Sequence, residues 1–138
     1  KEEPQKNVQI YTLQNAEQLR KERTSGLLKG LVHLRGGAKM AAFGADVSPK
    51  VIVFAGMTSA NPCFNNLYIG NGERPRLNVD LLKELADDYK EKLQTPICIG
   101  IRKGYLENEE EVKALASDNF IIDTPIKIVE MFIDKYMR

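Results

Sequence analysis

The stretch KVIVFAGM, residues 50–57, decides which class of fold this sequence can adopt. It is rich in β-branched residues and almost continuously apolar, which is the pattern of a central strand covered on both faces. A second stretch of this kind, TPICIGIR, occupies residues 95–102. Both are far shorter than the roughly 20 apolar residues that cross a bilayer. We therefore expect a buried sheet and no membrane partner.

Helix signals surround these two strands. Asn78 is a typical N-cap for a helix that runs to about Leu93, and Thr124-Pro125 has the start signals of a last helix. An acidic helix is predicted over residues 108–117, and NFIID, residues 119–123, forms a brief strand or extended link. Upstream, the alternation in VQIYTLQ, residues 8–14, predicts a half-buried strand. A helix after it has apolar residues at three- and four-residue spacing, namely Leu27, Leu28, Leu31, Val32 and Leu34. This order predicts an α/β or α+β fold.

Length and composition limit the classes of protein that remain. The chain has 138 residues, of which 43% are hydrophobic and 28% charged, as in one globular domain spanning residues 1–138. No signal-peptide pattern is visible, and Cys63 and Cys98 form no Cys-x-x-Cys motif, which favours reduced thiols and a cytoplasmic location. With His33 as its single histidine, the chain is expected to hold no metal and no cofactor.

Charge is distributed unevenly along the chain. Residues 20–50 include seven basic and two acidic residues, whereas residues 104–138 include four basic and eight acidic ones. A basic end suits a polyanion, and opposite ends of opposite charge suit head-to-tail self-association. Ordinary solvated helix faces explain the same pattern, so charge alone leaves both interpretations open.

The stretch LRGGAKMAAFGADVSP, residues 34–49, is the best candidate site. Backbone N–H groups around Gly36 and Gly37, with Arg35 and Lys39 beside them, would suit phosphate oxygens. The alternative is a glycine that ends the preceding helix, with a lysine next to it. Because Gly36 and Gly37 follow a helix rather than a strand, they do not form a phosphate-binding P-loop. No combination of residues predicts catalysis, so we expect a protein that is not an enzyme.

Three segments resemble a known family: GLLKGLVHLRGGAK, FGADVSPKVIVFAG and NPCFNNLYI. They are similar to the C-terminal half of the CRISPR-associated autoregulator DevR family, whose RAMP-superfamily subunits form the repeated backbone of type I Cascade complexes. The motif positions are Gly37-Ala38-Lys39, the turn at residues 46–49 and the strand at residues 51–55. The similarity covers residues 20–68 with some specificity and the remainder loosely. One departure is Met40, where many relatives have a polar residue, so we expect no RNA contact from that side chain.

The resemblance implies a fold, a function and partners. The fold would be part of an RRM-like or ferredoxin-like RAMP-type core, within a subunit considerably longer than this chain. Copies would polymerise head to tail along a CRISPR RNA in antiviral defence, together with other Cascade subunits and without catalysis. The first candidates for RNA-binding residues are then Arg35, Gly36, Gly37 and Lys39, and the second are Lys29, Lys50, Arg20 and Arg23.

Other residues have two interpretations each. Lys29, Lys50, Arg20 and Arg23 can equally be solvated charges, and so can Arg74 and Arg76 in the long loop of residues 58–78. Phe43 and Phe64 either stack on bases or belong to the core, and the core is the favoured interpretation.

An alternative function is that of a small Rossmann-like enzyme. A strand, an Asn- and Gly-rich loop, a capped helix and a second strand follow one another from residue 51 to residue 101. In such an enzyme the loop of residues 58–78 would bind a nucleotide or a sugar phosphate. The pocket would then be lined by Asn61, Asn65, Asn66 and Asn71.

Overall fold

The computed structural model describes residues 11–35, 46–59, 62–70 and 72–137. Helices and strands within these ranges have an α+β arrangement, as the sequence predicts. In chain order they are α1 (Ala16–Val32), β1 (Val51–Phe54), β2 (Tyr68–Ile69), β3 (Arg76–Leu77), α2 (Val79–Asp88), β4 (Ile97–Ile101), α3 (Glu109–Lys113), β5 (Phe120–Asp123) and α4 (Pro125–Tyr136).

The main sheet has three described strands in the order β1-β4-β5. β1 is antiparallel to β4, with Val51 opposite Ile101 and Phe54 opposite Cys98. β4 is parallel to β5, and α3 lies in the crossover that a parallel pair requires. β2 and β3 form a separate antiparallel hairpin.

Layers of side chains cover both faces of this sheet. β4 is buried at all five positions, and its side chains alternate between the two faces. On one face the isoleucines of β4 meet Leu82 of α2, Val112 of α3 and Leu77 of the hairpin. On the other face Cys98 meets Phe132 of α4 and Val32 of α1. α1 and the β2–β3 hairpin therefore lie on opposite sides of the sheet.

β1 is covered on both faces, as its apolar sequence predicts, but it is an edge strand of the described sheet. Its side chains alternate between the two core layers, yet all four are only partly buried. The Arg102 N–H donates to the Lys50 carbonyl at 2.8 Å. By the alternation of an antiparallel ladder, the backbone groups of Val51 and Val53 then point away from β4. Among the described strands, β1 therefore lies at an edge and not at the predicted central position.

The starts of α2 and α4 match the sequence signals. However, α2 ends at Asp88 rather than near Leu93, and α3 covers Glu109–Lys113 rather than residues 108–117. Asn78 accepts the Leu81 N–H at 3.0 Å in the first turn of α2, and Thr124 accepts the Lys127 N–H at 3.5 Å ahead of Pro125 in α4. The predicted strand at residues 8–14 differs. Residues 8–10 lie outside the described ranges, and residues 11–14 are not part of a strand.

Topology bears on the two functions that the sequence leaves open. A Rossmann-like unit needs parallel strands on either side of its crossover helix. β1 and β4, which flank α2 in sequence, are antiparallel, so this arrangement gives the enzyme alternative no support. An RRM has a four-stranded sheet, whereas the main sheet of the described residues has three strands, so the RRM-like core stays a prediction.

Candidate nucleic-acid interface

The C-terminal end of α1 leads into the predicted glycine turn. His33 is the C-cap residue, and its N–H donates to the Lys29 carbonyl at 3.2 Å. Arg35 follows two residues later with an exposed side chain that makes no ion pair among the described residues. Gly36, Gly37 and Lys39 lie outside the described residues. Of the four first candidates, the structure therefore describes Arg35 alone.

Three of the second candidates for RNA binding, Arg20, Arg23 and Lys29, belong to α1 and lie on two different flanks of that helix. Lys21, Leu28 and Val32 face the packed side, at the spacing of one helical stripe. At 3.6 residues per turn, Arg20 and Arg23 fall on one flank of this stripe and Lys29 on the other. All three are exposed and have no ion pair among the described residues. They remain available to an external anion.

A groove between α1 and α4 adjoins the flank of Lys29. Its volume is about 660 Å³, and it runs from Glu17 and Gln18 along α1 to Lys29, with Ile133 and Met137 on the α4 side. Lys21 and Glu17 form an ion pair of 3.4 Å at its rim. Because acidic and basic groups both line the groove, its charge does not select a polyanion.

Lys50 differs from the other candidates because its ammonium is already engaged within the chain. It forms an ion pair with the Asp46 carboxylate and donates to the Ser48 hydroxyl at 2.8 Å. Asp46 also accepts the Ser48 N–H at 2.9 Å, which closes the Asp-Val-Ser-Pro turn before β1. The Lys50 and Ser48 side chains hold the pKa of Asp46 well below its usual range. Lys50 therefore supports a turn, and an RNA phosphate would have to compete with Asp46 for it.

This turn predicts a pH-dependent effect of Asp46→Asn. Because the pKa of Asp46 is lowered on folding, its contribution to stability is present above about pH 4, the usual range of an aspartate, and is lost as the pH falls. The variant should thus be less stable than the wild type at pH 7, and the difference should shrink progressively below about pH 4. Urea unfolding at several pH values measures this difference.

The matched control for that experiment is Asp118→Asn, which removes the same charge from an exposed position that makes no ion pair among the described residues. It should leave the difference from wild type small throughout. A constant loss of stability for Asp46→Asn down to pH 2 would show that the carboxylate charge does not hold the turn.

The long loop of residues 58–78 contains the β2–β3 hairpin. Of the asparagines that the enzyme alternative assigns to a pocket, Asn65 lines a cavity of about 390 Å³ beside β1. Arg76 forms an ion pair of 3.0 Å with Glu111, and Arg74 reaches the Gly104 carbonyl at 3.5 Å. Phe64 packs against the core, which is the favoured interpretation of that residue. Asn65 and Asn66 are exposed in a turn, while Asn61, Asn71 and Phe43 lie outside the described residues.

A hydrogen-bonded asparagine that the sequence analysis missed holds this hairpin in place. Asn108 is buried, its Oδ1 accepts the Leu77 N–H at 2.9 Å, and its Nδ2 donates to the Leu77 carbonyl at 2.8 Å. The Nδ2 also donates to Glu111 at 2.9 Å. The side-chain amide thus pairs with β3 as a neighbouring strand would. The two residues are 31 positions apart, so no local sequence signal indicates the contact.

Three findings concern metal sites, membrane-spanning helices and similar proteins. Within the described ranges, no three histidine, cysteine or acidic side chains are grouped so that they could hold a metal ion. No helix of those ranges is both long and apolar enough to span a membrane. No protein-family model, curated protein or solved structure matches the chain.

Proposed function

We propose that this protein is a non-catalytic RNA-binding subunit that polymerises along a CRISPR RNA in a type I Cascade complex. The observation that carries the proposal is a set of exposed cations on and directly after α1. They have no ion pair among the described residues and consist of Arg20, Arg23, Lys29 and Arg35. By contrast, Lys50, Arg76 and Lys113 all have acidic partners within the chain. Unpaired exposed cations are the groups that bind phosphates and release counterions.

The resemblance to the DevR family supplies the identity of the RNA. Its most specific segment, residues 20–68, includes most of α1, the predicted glycine turn and β1, which are next to these cations in sequence. The turn at Asp46 directs the chain into β1, where the sheet begins. In this role the protein holds the RNA backbone, leaves the base edges free to pair, contacts other Cascade subunits and works in the cytoplasm.

Single-stranded RNA binding tests the proposal. We expect the wild-type chain to bind a fluorescently labelled RNA at about 50 mM salt and to lose that affinity steeply as salt rises. Arg35→Ala/Lys39→Ala should weaken binding about tenfold or more at low salt. Because each lost phosphate contact removes about 0.7 from the slope of log K against log salt, the slope should become shallower by about 1.4. Fluorescence anisotropy over a salt series measures both quantities.

A control of equal charge is available on the opposite side of the sheet. Lys90 and Lys92 are exposed and follow α2, so Lys90→Ala/Lys92→Ala removes two cations away from α1. This variant should keep the wild-type slope. Absence of binding by the folded wild-type chain, or an equal loss of slope in both double variants, would refute the proposed function.

A further inference from the structure

The parallel strands β4 and β5 end side by side, and the chain leaves them towards opposite faces of the sheet. α3, which follows β4, packs on one face through Val112, and α4, which follows β5, packs on the other through Phe132. Neighbouring parallel strands whose following helices diverge in this way leave a crevice at their carboxyl ends, and ligands of open α/β sheets bind in such crevices. The topology therefore favours a binding site at this edge of the sheet.

A cavity of about 380 Å³ lies at this edge. Its volume falls within the range of small-molecule sites, about 300–1,000 Å³. The apolar part of its lining consists of Ile101 and Ile122, at the ends of the two strands, and Ala116, which follows α3. The polar part consists of Lys103, Glu109, Lys113, Asp123 and Thr124. An apolar wall with a few convergent polar groups is the usual composition of a small-molecule site.

A tight turn directly after β4 places Lys103 at the cavity. The Tyr105 N–H donates to the Arg102 carbonyl at 3.2 Å, and Gly104 has a φ of 79°, as the third residue of a type II turn requires. Lys103 occupies the exposed position before this glycine and makes no ion pair among the described residues. Its ammonium is therefore available to an anionic group of a ligand.

Asp123, the last residue of β5, supplies the opposite charge. Its Oδ1 accepts the Thr124 N–H at 2.6 Å, which fixes the carboxylate at the start of α4. Within the described ranges Asp123 makes no ion pair, so its carboxylate can still accept hydrogen bonds from a cation. The Thr124 hydroxyl beside it can donate its own proton. The cavity thus brings together an ammonium and a carboxylate that are both available to a ligand.

The other two charged groups of the cavity are committed to each other. The Glu109 side chain is only 12% exposed and forms an ion pair of 2.7 Å with Lys113. It also accepts the Gly104 N–H at 2.6 Å, which ties the turn of Lys103 to α3. Lys113 and, to a smaller extent, the Gly104 N–H hold the pKa of Glu109 below its usual range, so the pair is ionised and neutral as a unit at pH 7. The charges left for a ligand are those of Lys103 and Asp123, which cancel.

We propose that this cavity binds a small zwitterion of the α-amino-acid class with an apolar side chain. The carboxylate of the ligand accepts from the Lys103 ammonium and the Thr124 hydroxyl, and its ammonium donates to the Asp123 carboxylate. Its side chain lies on the apolar part of the cavity. A ligand with a single charge would leave one of the two free groups without a partner. A mononucleotide suits the site less well, because its phosphate would share the cavity with Asp123.

This site is independent of the proposed function. The described lining of the cavity includes none of the RNA-binding candidates. It is formed instead by the ends of β4 and β5 and by α3, whereas the unpaired cations lie on and directly after α1. A test of one site therefore does not test the other.

Titration of the full chain with L-leucine, followed by amide-resolved NMR, tests the proposal. The amides of Lys103, Gly104, Asp123 and Thr124 should shift and reach saturation at millimolar ligand, whereas the Asp118 amide, ahead of β5, should not. Isocaproate lacks the ammonium of leucine, and isoamylamine lacks its carboxylate. Each should bind about tenfold more weakly than leucine or worse, because each leaves one charged group of the site without a partner.

Lys103→Ala and Asp123→Asn should each weaken leucine binding by about tenfold or more. Both variants should fold, because Lys103 is exposed in its turn and the amide of Asp123→Asn keeps the Oδ1 that accepts the Thr124 N–H. The controls Lys92→Ala and Asp118→Asn remove the same charges from exposed positions that precede β4 and β5, at the opposite ends of the two strands. They should leave the affinity for leucine unchanged.

Three results would overturn the proposal. A folded chain whose amides do not shift with leucine has no such site. Equal affinity for leucine and for either singly charged analogue would mean that the cavity does not recognise both charges. Tighter binding of adenosine monophosphate than of leucine, at the same amides, would indicate a nucleotide site instead. None of these results depends on RNA, so each would leave the proposed function standing, and absence of RNA binding would leave this site standing.

Discussion

Gly100→Ala should lower the free energy of unfolding by about 3 kcal/mol, the upper end of the range for overpacking a core. A Cβ at this position of β4 would lie 2.7 Å from Pro125 Cα, 2.7 Å from Ile52 Cγ1 and 2.9 Å from Ile128 Cγ2. The Ile52 and Ile128 side chains can adjust in part, but Pro125 Cα belongs to the first turn of α4. Relief of the clash therefore requires α4 to move away from the sheet. Urea unfolding followed by circular dichroism measures the change.

Gly30→Ala is the matched control for that substitution. Gly30 lies inside α1, and a Cβ there would meet no atom within 4 Å. Since glycine costs about 1 kcal/mol relative to alanine in a helix interior, this variant should be more stable than the wild type by about that amount. If Gly100→Ala instead unfolded within about 0.5 kcal/mol of the wild type, the close packing of α4 on β4 would be incorrect.

Elements with local signals were predictable from the sequence. α2 and α4 begin at the predicted caps, Asn78 and Thr124, because capping depends on residues within one turn. β4 and β5 form where short apolar runs occur. The role of Gly100 was not predictable, since a glycine within ICIGI gives no sign that a helix approaches at that point.

Strand order and direction were not predictable from the same patterns. The apolar sequence of β1 shows that both its faces are covered, but it contains no information on how many neighbours the strand has or on which way they run.

The apolar periodicity of α1 likewise did not predict which of its apolar side chains are buried. Five apolar residues predicted one buried stripe, whereas Leu28 and Val32 pack on the core and Leu27, Leu31 and Leu34 are exposed. A helical repeat identifies apolar positions and leaves open how many partners cover them.

The candidate site was predictable only as a set of charges. Sequence reasoning found Arg35 and the cations of α1, which are exposed in the structure. It could not separate Lys50 from them, because the Asp46 and Ser48 contacts that hold its ammonium depend on the backbone of the turn. A signal was nevertheless present, since Asp46 and Lys50 are four residues apart around an Asp-x-Ser-Pro turn.

Asn108→Asp should be the second most damaging substitution, with a loss of about 3 kcal/mol at pH 7. The aspartate keeps the shape and the acceptor for the Leu77 N–H, but it loses both N–H donors of the amide. The Leu77 carbonyl is then buried without a partner. A carboxylate also replaces the group that donates to Glu111 at 2.9 Å, so two negative charges meet in a partly buried place. Urea unfolding at pH 7 and at lower pH measures the loss.

The pH dependence separates this explanation from simple loss of packing. Repulsion from Glu111 favours the protonated form of the new aspartate in the folded state and so raises its pKa above the usual value of about 4. The deficit should therefore be full at pH 7, shrink as the pH falls towards about 4, and be smallest below that pH. Asn65→Asp, at an exposed position in a turn, adds the same charge and should change stability little.

Hydrogen exchange of the Asn108→Asp variant should show the Leu77 amide losing protection before the Leu82 or Ile99 amide, because the hairpin detaches from α3 first. Equal loss at all three amides, with no recovery in acid, would mean that Asn108 stabilises the whole core rather than the hairpin.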